Sequence, residues 1–403
     1  MRVALLSQRK RGDLEDRTGV EHYVYEGLRL HGVAVERVFA SSLSGTYRLL
    51  YRATRQYVKR VVKKRFAVHY EPLFLRRQAQ DIDQTLTENT FDCLLATSPT
   101  MLCQLCSEIP SVLWVDSTFA GAVDFIPCGK SISERHKTQY HKMEQQALDK
   151  VRFAVFRSEW AASTALDNYN VDAAKIRVVP TGANLEVRVG RTEADIAAMI
   201  DARPKDRLKM LFVAGEWYNK RGDLAVNVAG VLNDRGLDTT LDIVGPVPES
   251  TAANLPEFVT HHGAIDKSVP GGLERIKGLF AGSHVLIMPS YAECQGIQYC
   301  EASAFGVPSL GTNVGGVSSV VTDGVNGKLF DRDAPAEQYA LYLESLFRDR
   351  DRYDRLCRSS FQEYVKRLNW ETSVGHVLDL MRIAVTPDLD AVSDLVDTTS
   401  SAH

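Results

Sequence analysis

Short apolar runs alternate along the chain with longer stretches in which apolar positions recur three and four apart. Residues 3–7, 33–39, 91–96, 111–115, 152–156 and 176–179 read as buried strands, separated by helical stretches such as 21–30 and 134–148. A second series of strands follows at 210–213, 240–244, 259–262, 284–288 and 309–311. Strand–helix alternation predicts a parallel sheet covered on both faces, and two series predict two doubly wound α/β domains. The pattern breaks at Pro180-Thr181-Gly182-Ala183-Asn184, so the first domain is expected over 1–185 and the second over 186–365. The chain is helical again from Asp349. An amphipathic helix within 366–386 is followed by an Asp-, Ser- and Thr-rich segment, 387–403, expected to be a disordered tail.

Length agrees with two cores, since 403 residues exceed the usual size of one. A formal charge of -3 neither demands nor excludes nucleic acid, and no nucleic-acid partner is expected. Seven scattered cysteines do not form a secreted disulfide framework. Cys103 and Cys106 form a C-x-x-C without a second pair of ligands, which places them on one helix face rather than on zinc. The N-terminal apolar run is too short for a signal peptide, and no apolar stretch approaches the roughly 18 residues of a bilayer span. A cytoplasmic protein is expected. One segment changes that picture. Arg48, Arg52, Arg55, Lys59, Arg60, Lys63, Lys64 and Arg65 make a basic run without an acid, with Tyr47, Leu50, Tyr51, Tyr57, Val58, Val61, Val62 and Phe66 interleaved at helical spacing. Residues 47–66 fit a basic helix lying on anionic lipid at the inner face of the membrane, and equally a core-packed helix with a solvated basic face, with nucleic-acid contact a third, minor reading.

Ligands of open α/β sheets bind beyond the carboxyl ends of the strands. The richest such segment is 288–302, in which a strand end leads to a loop with Glu293 and Gly296, then a helix with Glu301 in an early turn. The free amides of the loop and helix start suit a pyrophosphate, helped by the helix dipole, and the glycine at 296 permits close approach. Carboxylates accept hydrogen bonds from ribose or hexose hydroxyls. Two acids near a helix N-terminus are also explained by the dipole alone.

The spacing of Glu293 and Glu301 resembles the E-x7-E signature of GT-B glycosyltransferases, specifically the retaining family 4 (group 1) type. The resemblance continues through Glu301-Ala302-Ser303-Ala304-Phe305-Gly306-Val307-Pro308, Asn313-Val314-Gly315-Gly316 and Asp323-Gly324-Val325-Asn326-Gly327. It extends upstream to Gly215-Glu216-Trp217 with Lys220-Arg221-Gly222, to Asp242-Ile243-Val244-Gly245, and more loosely to Thr18-Gly19-Val20-Glu21 and Ser158-Glu159-Trp160. It implies two Rossmann-like domains facing a central cleft, with the C-terminal helix crossing back to the first. Glu301 would clamp the ribose and Glu293 the donor sugar, beside the amides at Gly296, Ile297 and Gln298. Lys220 or Arg221 would face the diphosphate, approached by Gly19 and Gly215, while Gly245 and Ile265 would line the base pocket. Asp116 falls where relatives present a histidine near the sugar.

The implied reaction transfers a hexose from a UDP- or GDP-sugar to a sugar or lipid-linked acceptor, in surface polysaccharide or glycolipid assembly, without a metal or cofactor. The triplets Asp81-Ile82-Asp83 and Asp331-Arg332-Asp333 read as solvated surface charge. Glu216 departs from the family pattern, which often has an arginine there, and an anion facing a pyrophosphate would repel it. A sugar-nucleotide epimerase, a phosphorylase and a non-catalytic nucleotide-sugar-binding protein are the competing readings.

Overall fold

The computed structural model describes residues 1–7, 19–39, 71–125, 132–186 and 188–386. The basic run at 47–66 and the tail at 387–403 lie outside the described residues. In the first domain the order is β1 (Arg2–Ser7), α1 (Val20–Leu30), β2 (Ala34–Phe39), α2 (Pro72–Glu88), β3 (Cys93–Ala96), β4 (Ser111–Val115), α3 (Phe119–Val123), α4 (Glu134–Lys150), β5 (Phe153–Phe156), α5 (Glu159–Asn168) and β6 (Ile176–Val178). The second domain holds α6 (Glu193–Ala202), β7 (Leu208–Val213), α7 (Gly222–Asp234), β8 (Thr239–Val244), α8 (Glu249–Ala252), β9 (Val259–His261), α9 (Gly272–Gly282) and β10 (Val285–Met288). It continues with α10 (Ile297–Ser303), β11 (Ser309–Thr312), β12 (Gly327–Phe330), α11 (Ala336–Arg348) and α12 (Arg350–Arg367), and α13 (Trp370–Ala384) ends the described chain.

Two six-stranded parallel sheets result, ordered β2-β1-β3-β4-β5-β6 and β12-β11-β10-β7-β8-β9. Each strand expected from the pattern forms. β2, β6 and β9 are less buried than expected, because they lie at or next to a sheet edge and lose cover there. The pleat divides the first core by its period of two. Ala4, Leu6, Leu113 and Val115 join one cluster beneath α2, α4 and α5, while Val3, Leu5, Val112 and Trp114 join the opposite one.

That opposite face is closed by α1 and, from the far end of the chain, by α13. Trp370, Val374, Val377, Leu378 and Met381 pack on it. Trp370 stacks on Tyr23 at a centroid distance of 5.6 Å, and its indole donates to Asn184 Oδ1 at 3.1 Å. Gly27 on α1 is required by this contact, since a Cβ there would lie 2.7 Å from Val374. The two passages of chain between the domains run side by side. Ala183 N donates to Leu368 O at 3.2 Å, and a Cβ on Gly182 would lie 2.2 Å from Trp370 N.

The C-x-x-C expectation is corrected by the fold. Cys103 and Cys106 lie beyond a short 3₁₀ turn (Pro99–Met101) rather than on a helix face, with Cys103 buried and Cys106 exposed. Asp83 is likewise more than solvated charge, since its carboxylate accepts from Cys106 N at 2.8 Å and Ser107 N at 3.1 Å, tying α2 to that loop.

Candidate active site

The second sheet grows outward in both directions from the adjacent strands β7 and β10, so the loops leaving these two strands diverge and open a crevice. Lys220 on the first loop forms an ion pair with Glu293 on the second, and both side chains are mostly buried, at 17% and 13% exposure. Asn219 stitches the same two loops together. Its side-chain amide donates to Ala292 O at 2.9 Å, and its backbone carbonyl accepts from Tyr291 N at 2.7 Å. Tight turning in the first loop is forced by Trp217 packed under Gly222, where a Cβ would meet the indole at 2.4 Å. Arg221 takes up the strain, with a left-handed φ of 53°. Its guanidinium turns away from Glu293, donates to Arg332 O at 2.8 Å and lies 4.7 Å from the Tyr291 ring centre. Glu216 also turns aside, accepting from Asn219 N at 3.3 Å. Gly215 is exposed at the start of this turn.

Beyond β10 the chain passes through Gly296, at φ 86° and ψ 81°, into α10. A side chain there would strike Tyr299, whose buried hydroxyl donates to Met288 O at 2.9 Å. Ile297 and Gln298 follow half-buried. Glu301 is buried and forms an ion pair with Lys267, which also donates to Asn184 O at 3.2 Å. Burial pushes the Glu301 carboxyl above its usual range, and the Lys267 charge opposes this. Gly245 ends β8 at φ 125°, where a Cβ would lie 1.8 Å from Ala214 O, so the strands' exits meet backbone to backbone. Ile265 packs half-buried on the second core beside it.

The first domain closes the other side. Gly19 caps α1 without a side chain, and Glu21 in its first turn accepts from Thr97 Oγ1 at 2.9 Å and from the Ser7 hydroxyl. Tyr23 lies near enough to Glu301 for that charge to add to burial in raising its phenol. Asp116 is exposed after β4, 3.8 Å from Arg157. Burial and next the charge of Asp116 push the Cys294 thiol up to about 12, so this turn faces the loop after β10. Glycine lets the second domain come close to the first here. A Cβ on Gly316 would lie 1.8 Å from Cys294 O and 2.5 Å from Ser158 Oγ, and one on Gly315 would meet the Phe125 ring.

Four partners in this arrangement carry no signal in the strand–helix pattern: Lys267, Asn184, Thr181 and Gln295. Gln295 is buried, accepts from Thr181 Oγ1 at 2.8 Å and donates to Thr181 O at 3.2 Å, fastening the loop after β10 to the interdomain passage. Among the described residues no three His, Cys, Asp or Glu side chains gather as a metal site, and no helix is long and apolar enough to cross a membrane.

Two facing parallel-sheet domains, with a last helix returning to the first, constitute the GT-B fold. Residues 198–362 match the family model of glycosyl transferases group 1. The chain is 28% identical, over 251 residues, to the D-inositol 3-phosphate glycosyltransferase of Paenarthrobacter aurescens, a match covering 60% of each chain. It spans only about half to three-fifths of the length of such curated relatives. A glycosyltransferase from Rickettsia africae superposes with a TM-score of 0.66 at 15% identity, covering 96% of this chain and 99% of that one. Anabaena HepE in complex with UDP and glucose superposes with a TM-score of 0.60 at 14% identity, covering 95% and 99%. At these identities the structural likeness speaks for the fold.

Proposed function

We propose that the protein is a retaining glycosyltransferase that moves a hexose from a UDP- or GDP-sugar to an acceptor. The observation that carries the reading is the pair of ion pairs, Lys220–Glu293 and Lys267–Glu301, at the two ends of one loop-and-helix segment on the crevice. A nucleotide sugar presents hydroxyls at each end and a diphosphate between. Glu301 would accept from ribose hydroxyls and Glu293 from those of the sugar, while the Gly296, Ile297 and Gln298 amides receive the phosphates. Lys220 would then stabilise charge growing on the leaving diphosphate, in a site that needs no metal. Arg221, Asp116, Gly19, Gly215, Gly245 and Ile265 remain proposed contacts around this centre.

The group 1 match and the fold support this class. UDP and glucose bound to HepE make UDP-glucose the first donor to try. The name of the curated relatives makes a phosphorylated cyclitol the first acceptor, ahead of the sugar and lipid-linked acceptors of surface polysaccharide or glycolipid assembly. A thermal-shift screen of UDP-, GDP- and ADP-sugars tests the reading, because a ligand that binds only the folded state raises its melting point. No shift with any of them overturns it. Binding without hydrolysis or transfer would leave a nucleotide-sugar-binding protein instead. EDTA is expected to leave turnover intact, and a loss restored by manganese or magnesium would overturn the metal-free step. Peripheral placement on the inner membrane through 47–66 is tested by flotation with anionic and zwitterionic liposomes at low salt.

A further inference from the structure

Glu144 is a buried carboxylate that the chemistry above does not use. It lies on α4 within the buried stripe of Tyr140, Met143, Ala147 and Leu148, where a core-facing helix ordinarily carries apolar residues. At 2% exposure, its Oε2 accepts from Phe119 N at 2.5 Å and from the Tyr169 hydroxyl at 3.0 Å. The same Tyr169 oxygen accepts from Ala120 N at 3.3 Å and stands 3.1 Å from His141 Nδ1. The third amide of α3, Gly121 N, is taken by the Thr118 side chain at 3.0 Å. A helix start leaves its first amides without partners, and here a carboxylate and a phenol from other elements supply two of them. The turn so held is the one that carries Asp116 and Ser117 towards Cys294 across the cleft.

We propose that Glu144 is a positioning residue, a proton-linked latch that fixes the turn from Asp116 to Ala120 against the donor loop. The transferase reading bears only on what Asp116 is used for. The latch stands on geometry and is tested without turnover. The charged and titratable groups around it are Tyr169, His141 and Lys137 on the helix side, and Asp116 and Asp124 on the turn. Arg157 lies 3.8 Å from Asp116, and Lys137 4.0 Å from Asp124. Burial pushes the Glu144 carboxyl up to about 7; its two hydrogen bonds oppose this and Asp116 adds to it. Burial and then the Lys137 charge push the His141 ring below its ordinary range. The latched carboxyl therefore holds its proton to a higher pH than one released into water. Rising pH through about 7 favours release of the turn.

The test is hydrogen–deuterium exchange of residues 116–125 in the full chain between about pH 5.5 and about pH 8.5, corrected for intrinsic exchange. Wild-type protection is expected to fall about tenfold as pH rises from about 5.5, and to level off above about 7, where the carboxyl is ionised in both states. Glu144→Gln keeps a carbonyl for Phe119 N but has no proton to lose, so it is expected to stay protected throughout. Glu144→Ala is expected to be unprotected at every pH, with faster alkylation of Cys294 read by mass spectrometry. Should the alanine variant fail to fold, the glutamine variant alone decides. Protection independent of pH in the wild type, or a glutamine variant that loses protection as the wild type does, overturns the latch. A latch that behaves as expected in a protein that turns over no nucleotide sugar overturns the transferase reading and leaves the latch standing.

Discussion

Both sheets reverse their direction of growth between two neighbouring strands, β1 and β3 in the first domain and β7 and β10 in the second, yet the two openings are furnished differently. In the first, Glu21 accepts from the hydroxyls of Ser7 and Thr97 and so ties α1 across the two strand ends. In the second, each carboxylate meets a lysine brought by a different loop. Topology makes an opening; side chains decide whether it is fastened or left exchangeable. A carboxylate bonded to two fixed hydroxyls is occupied with holding the fold. A Lys–Glu pair joining two loops is a mutual placeholder: on the proposed reading, the lysine can turn to an entering phosphate and the carboxylate to an entering hydroxyl.

The comparison is most severely tested at Glu293. Glu293→Gln is expected to lower turnover of the donor about 100-fold while nucleotide affinity stays within about threefold, as for a group felt mainly in the transition state. Steady-state kinetics beside calorimetry with UDP separates the two, and full turnover would return Glu293 to the scaffold. Glu301→Gln comes next. Loss of a charge-assisted clamp is expected to weaken UDP by about 10-fold, and unchanged calorimetric affinity would remove Glu301 from the site. Glu21→Gln in the first domain should behave in the opposite way. It is expected to cost about 1–2 kcal/mol of stability in denaturant melts, with UDP affinity unchanged. The smallest effect is expected at Arg221→Gly. Relief of the left-handed strain roughly cancels the entropy a glycine adds to the unfolded chain, leaving a change under about 1 kcal/mol. If UDP binding falls with it, Arg221 swings to the diphosphate on binding and shares the role of Lys220.

How much of this was legible follows from where the information lies. Ten of the strands in the two sheets are runs whose apolar character exceeds that of their flanks, or edges bounded by turns. β9 is marked as much by its neighbours as by itself. β12 escaped altogether, because Gly-Lys-Leu-Phe is short, starts on glycine and shows no alternation. Glu293 and Glu301 could be found because a single loop-and-helix segment holds both. Their lysines could not both be found. Lys220 lies near a recognisable glycine turn, but Lys267 sits in an irregular stretch between β9 and α9, and nothing local ties it to Glu301. Gln295 and Thr181 meet across 114 positions, one after β10 and the other on the interdomain passage. The register ambiguity between Lys220 and Arg221 needed backbone angles, since both are basic and only one of them points at Glu293. Glu144 did leave a trace in the sequence: an acid at the helical spacing of Tyr140, Ala147 and Leu148 is out of place on a buried stripe.

The return of α13 to the first domain also constrains how such a gene can be cut and recombined. A piece ending near residue 185 would encode a first domain with Tyr23, Val24, Leu28 and Trp114 stripped of the cover that Trp370, Val374 and Leu378 provide. Large aromatic truncations in a core cost about 3–5 kcal/mol each, and this cut would remove a whole helix of such contacts. On the proposed reading, donor specificity could therefore be transplanted between relatives as one internal cassette inserted between two pieces of a single host, with both passages, near Gly182 and near Leu368, spliced together. An end-to-end fusion of halves would hand the host a foreign keystone.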